Sequence, residues 1–282
     1  MNPKIAPDTL QDGNPVEVRP TEVIRCRANQ PQESCSDWVA AEEPMEIRVR
    51  GRSLAVTMRT PGHDTELAAG FLLSEGLVNR ASEIVEIAPC MNGQVPENIL
   101  NVFLAPDVEI DFDQHTRHVF ASSSCGLCGK ASIETVHQHF PPIASEMRIS
   151  AACLATLPDR MRAEQRTFAQ TGGLHAAAVF DHKGALLVLR EDVGRHNAVD
   201  KVLGYGVLTR RLPFGAHVLL VSGRASFEIM QKALAARVPI VCAVSAPSSL
   251  AVEFARESGQ TLVGFLRGED FNVYACPERI SW

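Results

Sequence analysis

Apolar and polar positions alternate on both sides of Arg50-Gly51-Arg52, with Ile47 and Val49 before it and Leu54, Val56 and Met58 after it. A period of two flanking a glycine-containing turn predicts a β-hairpin. A helix is predicted next: Asp64 or Thr65 can cap it, Leu67, Phe71 and Leu72 form its apolar stripe, and Gly76 can end it. Strand-like runs over 83–87 and 100–104 complete a small α+β unit, and the acidic, irregular stretch 106–114 is the expected boundary behind it.

Beyond that boundary the pattern changes. Runs at 176–180 and 185–189 flank Asp181-His182-Lys183-Gly184 as a second hairpin, and 197–203 reads as a helix. Three continuous apolar runs follow, at 217–221, 240–244 and 261–266, separated by helical patterns near 225–237 and 248–257. Apolar strands joined by helices predict parallel pairing in a sheet covered on both faces. Residues 1–40 are rich in Pro, Asn, Gln, Asp and Glu and show no sustained period. The expected organisation is a flexible arm over 1–40, a small α+β domain over 41–110 and a larger α/β domain over 111–282.

Composition narrows the function classes. With 282 residues, 45% hydrophobic and 21% charged, the chain can bury a sizeable core. A net charge of −6 argues against gripping a nucleic-acid backbone, yet leaves room for a local basic pocket around one phosphorylated ligand. The N-terminal residues carry no apolar leader, and no window approaches the roughly 18 uninterrupted apolar residues of a membrane span. A soluble, cytoplasmic protein with no nucleic-acid or membrane partner is expected.

Of the eight cysteines, Cys26, Cys35, Cys90, Cys153, Cys242 and Cys276 are scattered singly and read as reduced, with packing roles for Cys153 and Cys242. Cys125 and Cys128 differ. They sit in Ser122-Ser123-Ser124-Cys125-Gly126-Leu127-Cys128-Gly129-Lys130, ahead of a stretch whose Ile133, Val136 and Phe140 have helical spacing. A helix N-terminus and a nearby Lys130 would stabilise a thiolate, so a nucleophilic cysteine is favoured here. Read alone, the pair is also compatible with half of a zinc site or with a disulfide exchanger. The zinc reading lacks a second ligand pair, because His137 and His139 fall on different sides of a helix; the exchanger reading lacks a preceding strand.

In parallel sheets, ligands bind beyond the carboxyl ends of the strands. The first apolar run leads into Ser222-Gly223-Arg224-Ala225-Ser226, the second into Ser245-Ala246-Pro247-Ser248-Ser249, and the third into Arg267-Gly268-Glu269-Asp270. Any one of these is what capping and turning require. Together they place hydroxyls, two arginines and helix N-termini at one sheet edge, a combination that binds phosphate. Thr171-Gly172-Gly173-Leu174-His175 and Glu191-Asp192-Val193-Gly194-Arg195-His196-Asn197 are supporting candidates; the second reads equally as a helix cap with solvated charges, and a lone histidine such as that of the first is more often structural than catalytic.

These motifs, with Ala198-Val199-Asp200-Lys201 and Gly264-Phe265-Leu266-Arg267-Gly268, make the chain resemble the FdhD/NarQ family of formate dehydrogenase accessory sulfurtransferases from about Met45 to the C-terminus. The resemblance implies a sulfur carrier, loaded with a persulfide by a cysteine desulfurase and passing sulfur to the molybdenum cofactor that formate dehydrogenase requires. It places the persulfide on Cys125, with Cys128 as motif partner. It places binding of the bis-molybdopterin guanine dinucleotide form of the cofactor on Phe265, Leu266, Arg267, Gly268, Glu269 and Asp270, beside Ser222, Gly223 and Arg224. It further implies a three-layer α/β/α, cytidine-deaminase-like domain, and a homodimer. The H-x-E and P-C-x-x-C pair of a zinc deaminase is missing, so the fold similarity does not carry deamination, and no structural metal is expected. Glu269 and Asp270 are unexpected neighbours for a diphosphate.

Overall fold

The computed structural model of the chain describes residues 4–5, 17–90, 98–110, 112 and 140–282. Cys125, Cys128 and the helix expected after them lie outside the described residues.

A short strand, β1 (Lys4–Ile5), precedes a hairpin of β2 (Val18–Arg25) and β3 (Glu33–Ala40). From Val18 onward the expected arm is therefore a two-stranded ribbon. Its low hydrophobicity reflects its exposure, with Ile24 63% exposed, so no core-facing stripe marked it in the sequence. The base of the ribbon is tied down: Ala41 N donates to Glu17 O at 2.8 Å, and Thr167 Oγ1 donates to Glu17 Oε2.

The first predicted hairpin is β4 (Glu43–Val49) and β5 (Arg52–Arg59). Arg50 and Gly51 both have positive φ, 51° and 76°, as a two-residue turn matching strand twist requires. Met45, Ile47 and Val49 point inward along β4, the period of two that made the strand legible. With β6 (Ile84–Pro89) and β7 (Ile99–Leu104) these strands form a sheet in the order β1-β6-β7-β4-β5. Helix α1 (Asp64–Ser74) packs on it, burying Leu67 and Leu72. Its N-cap is His63 in a left-handed conformation, one residue earlier than expected and without a side-chain cap, and Gly76 ends it at φ 74°.

The short strand β8 (Ile149–Ser150) leads into α2 (Ala151–Glu164), followed by α3 (Arg166–Thr171) and the second hairpin, β9 (His175–Asp181) with β10 (Leu186–Asp192). Then come α4 (Arg195–Leu208), β11 (His217–Val221), α5 (Phe227–Ala235), β12 (Ile240–Ala243), α6 (Ser249–Glu257) and β13 (Thr261–Arg267). As predicted, β11, β12 and β13 pair in parallel, with α5 and α6 as crossovers. The chain then turns back in β14 (Asp270–Ala275), antiparallel to β13, and ends in β15 (Ile280–Ser281), which pairs with β8. The central sheet runs β10-β9-β11-β12-β13-β14.

Alternate residues of this sheet serve two cores, giving a mixed α/β fold with helices on both faces. Ala178, Phe180 and Leu220 pack with Leu154 and Leu157 of α2. Val179, Leu219 and Val241 pack with Val199 of α4, Ile229 of α5 and Phe254 of α6. The second core continues without a break through α1 to Ile47 and Leu100 of the five-stranded sheet, so the segments expected as two domains share one core. At the seam α1 and α4 touch through glycine. A Cβ on Gly70 would lie 1.8 Å from Asp200 O, and one on Gly204 would lie 1.7 Å from Glu66 O.

Candidate functional site

The register of the central sheet brings the strand-end loops together. His175 opens β9 opposite Asp192, which closes β10, and Val221, which closes β11, pairs with Ala177 and Ala243. The loops then zip to one another. Ser222 N donates to Ala176 O and Ser222 Oγ accepts from Ala176 N, both at 2.9 Å. Val244 N donates to Val221 O at 3.1 Å, Ser248 N to Ala225 O at 3.0 Å and Phe265 N to Ser245 O at 3.1 Å. Ser222, Gly223, Arg224 and the segment from Phe265 to Asp270 thus lie along one edge, as the sequence predicts.

The third loop departs from expectation in kind. No helix follows β13; Gly268 and Glu269 form a tight turn between paired Arg267 and Asp270, with Gly268 at φ 58°. This edge position therefore offers no helix N-terminus. Leu266 is fully buried in the core under α2, while Phe265, Arg267, Gly268, Glu269 and Asp270 are exposed. Phe265 holds a left-handed conformation, φ 54°, that leaves it 39% exposed at the strand end. Arg267 Nε donates to Val244 O at 3.0 Å, which ties that guanidinium back to the neighbouring loop. The two acids follow from the hairpin: they occupy its solvated tip.

Glu191 to Asn197 divides between structure and site. Glu191 accepts from Thr167 N at 3.0 Å and Phe168 N at 2.8 Å, satisfying the start of α3; desolvation, reinforced by Glu17, holds its pKa up. Asp192 is wholly buried. It pairs with Lys201 at 2.7 Å and accepts from Thr60 N, Gly194 N and Asn197 Nδ2. Lys201 Nζ also donates to Thr60 O at 2.8 Å, and Asn197 Nδ2 to Met58 O at 2.8 Å. These three residues clamp the end of β5 onto α4, which is why acids and a lysine recur at helical spacing here.

Arg195 and His196, between them, face the strand edge. A Cβ on Gly223 would stand 3.4 Å from His175 Nδ1 and 3.7 Å from Arg195 Cδ, so the three residues form one cluster. Desolvation, with Arg195 and His196 adding to it, holds the His175 pKa below the usual histidine range. His196 Nε2 lies 3.0 Å from Glu228 Oε2 and 3.3 Å from Ser226 Oγ, and its hydrogen bond holds the Glu228 carboxyl low. Glu228 carried no sequence signal, since an acid in a first helical turn normally serves the helix dipole.

The remaining polar groups are structural. Lys232 is buried with Asp200 at 2.8 Å and donates to Ser74 Oγ at 2.9 Å. Desolvation opposes its charge, but Asp200, Glu75 and Glu228 together outweigh it and the pKa stays raised. Lys232 and Asp200 line a cavity of about 630 Å³ between β5, α1, α4 and α5, which among the described residues reaches the strand edge at His196 and Glu228. Burial pushes the thiols of Cys153, Cys242 and Cys276 up, in keeping with packing roles for the first two. Among the described residues, no helix is long and apolar enough to cross a membrane.

Comparison with known proteins gives what the whole chain is similar to. The model of the FdhD/NarQ family matches residues 40–281. A protein of Streptomyces avermitilis named sulfur carrier protein FdhD is 52% identical over 256 residues, covering 87% of this chain and 89% of its own. One of the same name from Sulfolobus acidocaldarius is 43% identical over 248 residues, covering 88% of this chain and 93% of its own. A crystal structure from Desulfotalea psychrophila, provisionally assigned as a formate dehydrogenase accessory protein, superposes with a TM-score of 0.77 at 29% identity. It covers 94% of this chain and 100% of its own.

Proposed function

We propose, because this chain belongs to the FdhD/NarQ family, that it carries sulfur as a persulfide from a cysteine desulfurase to the molybdenum cofactor of formate dehydrogenase. Cys125 is the carrier. Its thiolate attacks the outer sulfur of the donor's persulfide, the donor S–S bond breaks, and the donor cysteine leaves as a thiolate; no oxidant or reductant is consumed. The acceptor is the bis-molybdopterin guanine dinucleotide form, a substrate of the transfer. Its nucleotide lies along the strand edge, bordered by Ser222, Gly223, Arg224, Arg267 and Gly268, with the turn residues Glu269 and Asp270 at the margin. The exposed ring of Phe265 offers a face on which a purine can stack.

The observation that supports this reading best is that the family match spans both the cysteine pair and the edge where these loops converge. A sulfurtransferase needs both: a thiol to hold sulfur, and a place to dock the molecule that takes it. The same resemblance supports a homodimer working in the cytoplasm, which sedimentation and fractionation would check. The deciding experiment incubates the protein with a cysteine desulfurase and cysteine, then measures intact mass and metal content and adds it to inactive formate dehydrogenase. A gain of one sulfur with activation is the expected result. Stoichiometric zinc without sulfur gain would replace the carrier with a metal-site protein, and activation without sulfur gain would leave only a cofactor-binding chaperone.

A further inference from the structure

The guanidinium of Arg195 has no hydrogen-bond or ion-pair partner among the described residues, and its Nε is buried. A charged donor shielded from water and left unpaired is costly, and such groups in native structures are normally matched by a protein group, a water or a ligand. Among the described residues, the neighbouring acids already have partners. Asp192 is held by Lys201, Gly194 and Asn197, Glu191 by the start of α3, and Glu228 by His196 and Ser226.

Around Arg195 the surroundings favour negative charge. It is the first residue of α4, whose N-cap, Gly194, contributes no side-chain cap to the free N–H groups of the first turn. His175 stands beside it across the gap that Gly223 leaves open, where any larger residue would stand against both side chains. Ser222 Oγ accepts from Ala176 N, so its own proton is free to be donated. Arg267 is the less suitable anion ligand of the two, because its Nε is spent on Val244 O and no helix begins at its turn.

We propose that Arg195, with His175 and the N-terminus of α4, forms the subsite that holds the diphosphate of the nucleotide-bearing acceptor. The ligand then runs from Arg195 at the β9–β11 side of the edge toward Phe265 at the end of β13. Its charge is taken by the planar fork of Arg195, which can grip two phosphate oxygens at once. This inference rests on the reading of the strand edge as the acceptor site.

Calorimetric titration of full-length protein with GDP, and with guanosine as the phosphate-free probe, tests it. Arg195→Gln should weaken GDP binding at least tenfold while leaving guanosine binding unchanged, and Arg195→Lys, which keeps charge but loses the fork, should fall between. Arg267→Ala should weaken GDP less than Arg195→Gln does. Thermal midpoints check folding of each variant; since Arg195 has no hydrogen-bond or ion-pair partner among the described residues, the midpoints should stay close to that of the wild type. GDP binding by Arg195→Gln within twofold of the wild type would overturn the subsite and leave the acceptor reading standing. Failure of the wild type to bind GDP would overturn both.

Discussion

Asp192 Oδ2 and Lys201 Nζ lie 2.7 Å apart with essentially no exposure of either side chain, and the pair joins the end of β10 and the middle of α4 to Thr60, the residue after β5. Removing one partner leaves the other charged and buried. Lys201→Met is therefore expected to cost about 3 kcal/mol, the lower end for breaking such a pair, since three other donors still serve Asp192. The double variant Asp192→Asn with Lys201→Met should recover part of the loss. Urea midpoints of the three proteins measure both; an unchanged midpoint in Lys201→Met would mean that this pair does not hold the two halves together.

The contact of Gly70 with Asp200 O and of Gly204 with Glu66 O sets two effects against each other. In an isolated helix, replacing an interior glycine by alanine is favourable by about 1 kcal/mol. Here the methyl would need to occupy space 1.8 Å or 1.7 Å from a backbone oxygen of the facing helix, so the helices must separate. Overpacking of this kind outweighs propensity, and Gly70→Ala and Gly204→Ala should each lose about 3 kcal/mol. Stabilisation in a thermal melt would show that α1 and α4 do not approach this closely in solution.

What the sequence disclosed follows from what each element buries. Strands β11, β12 and β13 face apolar cores on both sides, so their continuous Val, Leu and Ile runs were unmistakable, and parallel pairing followed from the helices between them. Strand β14 was missed because Asp270 and Asn272 face solvent and, Ala275 apart, its apolar residues are only partly buried. The ribbon of β2 and β3 was missed for the same reason. The strand edge was legible because glycines, hydroxyls and arginines cluster where strands end. The division of labour within Glu191 to Asn197 was not, since sequence spacing cannot tell a buried acid that clamps β5 from an arginine that faces a ligand. Separate domains were expected because neither Gly70 nor Gly204 reveals its partner in a linear chain.

Acid sensitivity follows from the histidines. Desolvation, helped by Arg190 and Lys201, lowers His63 to about 4, and desolvation also lowers His175 and His217. Between the ordinary histidine value near 6.5 and these lower ones, the unfolded chain binds protons that the folded chain refuses, so stability falls as pH drops. Glu228, held low by His196, adds to the loss at more acid pH as its stabilised carboxylate is protonated. Glu191, held up by desolvation, works in the opposite direction because its folded form takes a proton more readily. Three histidines should outweigh one acid, and the urea midpoint should decline steadily from pH 7 to pH 4. His63→Gln should flatten that decline; a midpoint independent of pH would contradict the desolvation of these partly buried rings.

The division of roles between the two motif cysteines can be tested by separating loading from delivery. If Cys125 receives the sulfur, Cys125→Ala should gain no sulfur from a desulfurase and activate no dehydrogenase, with its melting point unchanged. Cys128→Ala should still load, since the attack on the donor persulfide needs a single thiolate. Its deficit should come afterwards. In the intact pair the Cys128 thiolate can attack the inner sulfur of the Cys125 persulfide, forming the Cys125–Cys128 disulfide and releasing the outer sulfur as hydrosulfide with the electrons of that bond. Cys128→Ala lacks this route, so it should accumulate persulfide and activate the dehydrogenase more slowly. Time courses of intact mass and of formate oxidation, run in parallel on both variants, read the two steps independently. Full activation by Cys125→Ala would remove the carrier role from this thiol, and full activation by both single variants would remove it from the pair.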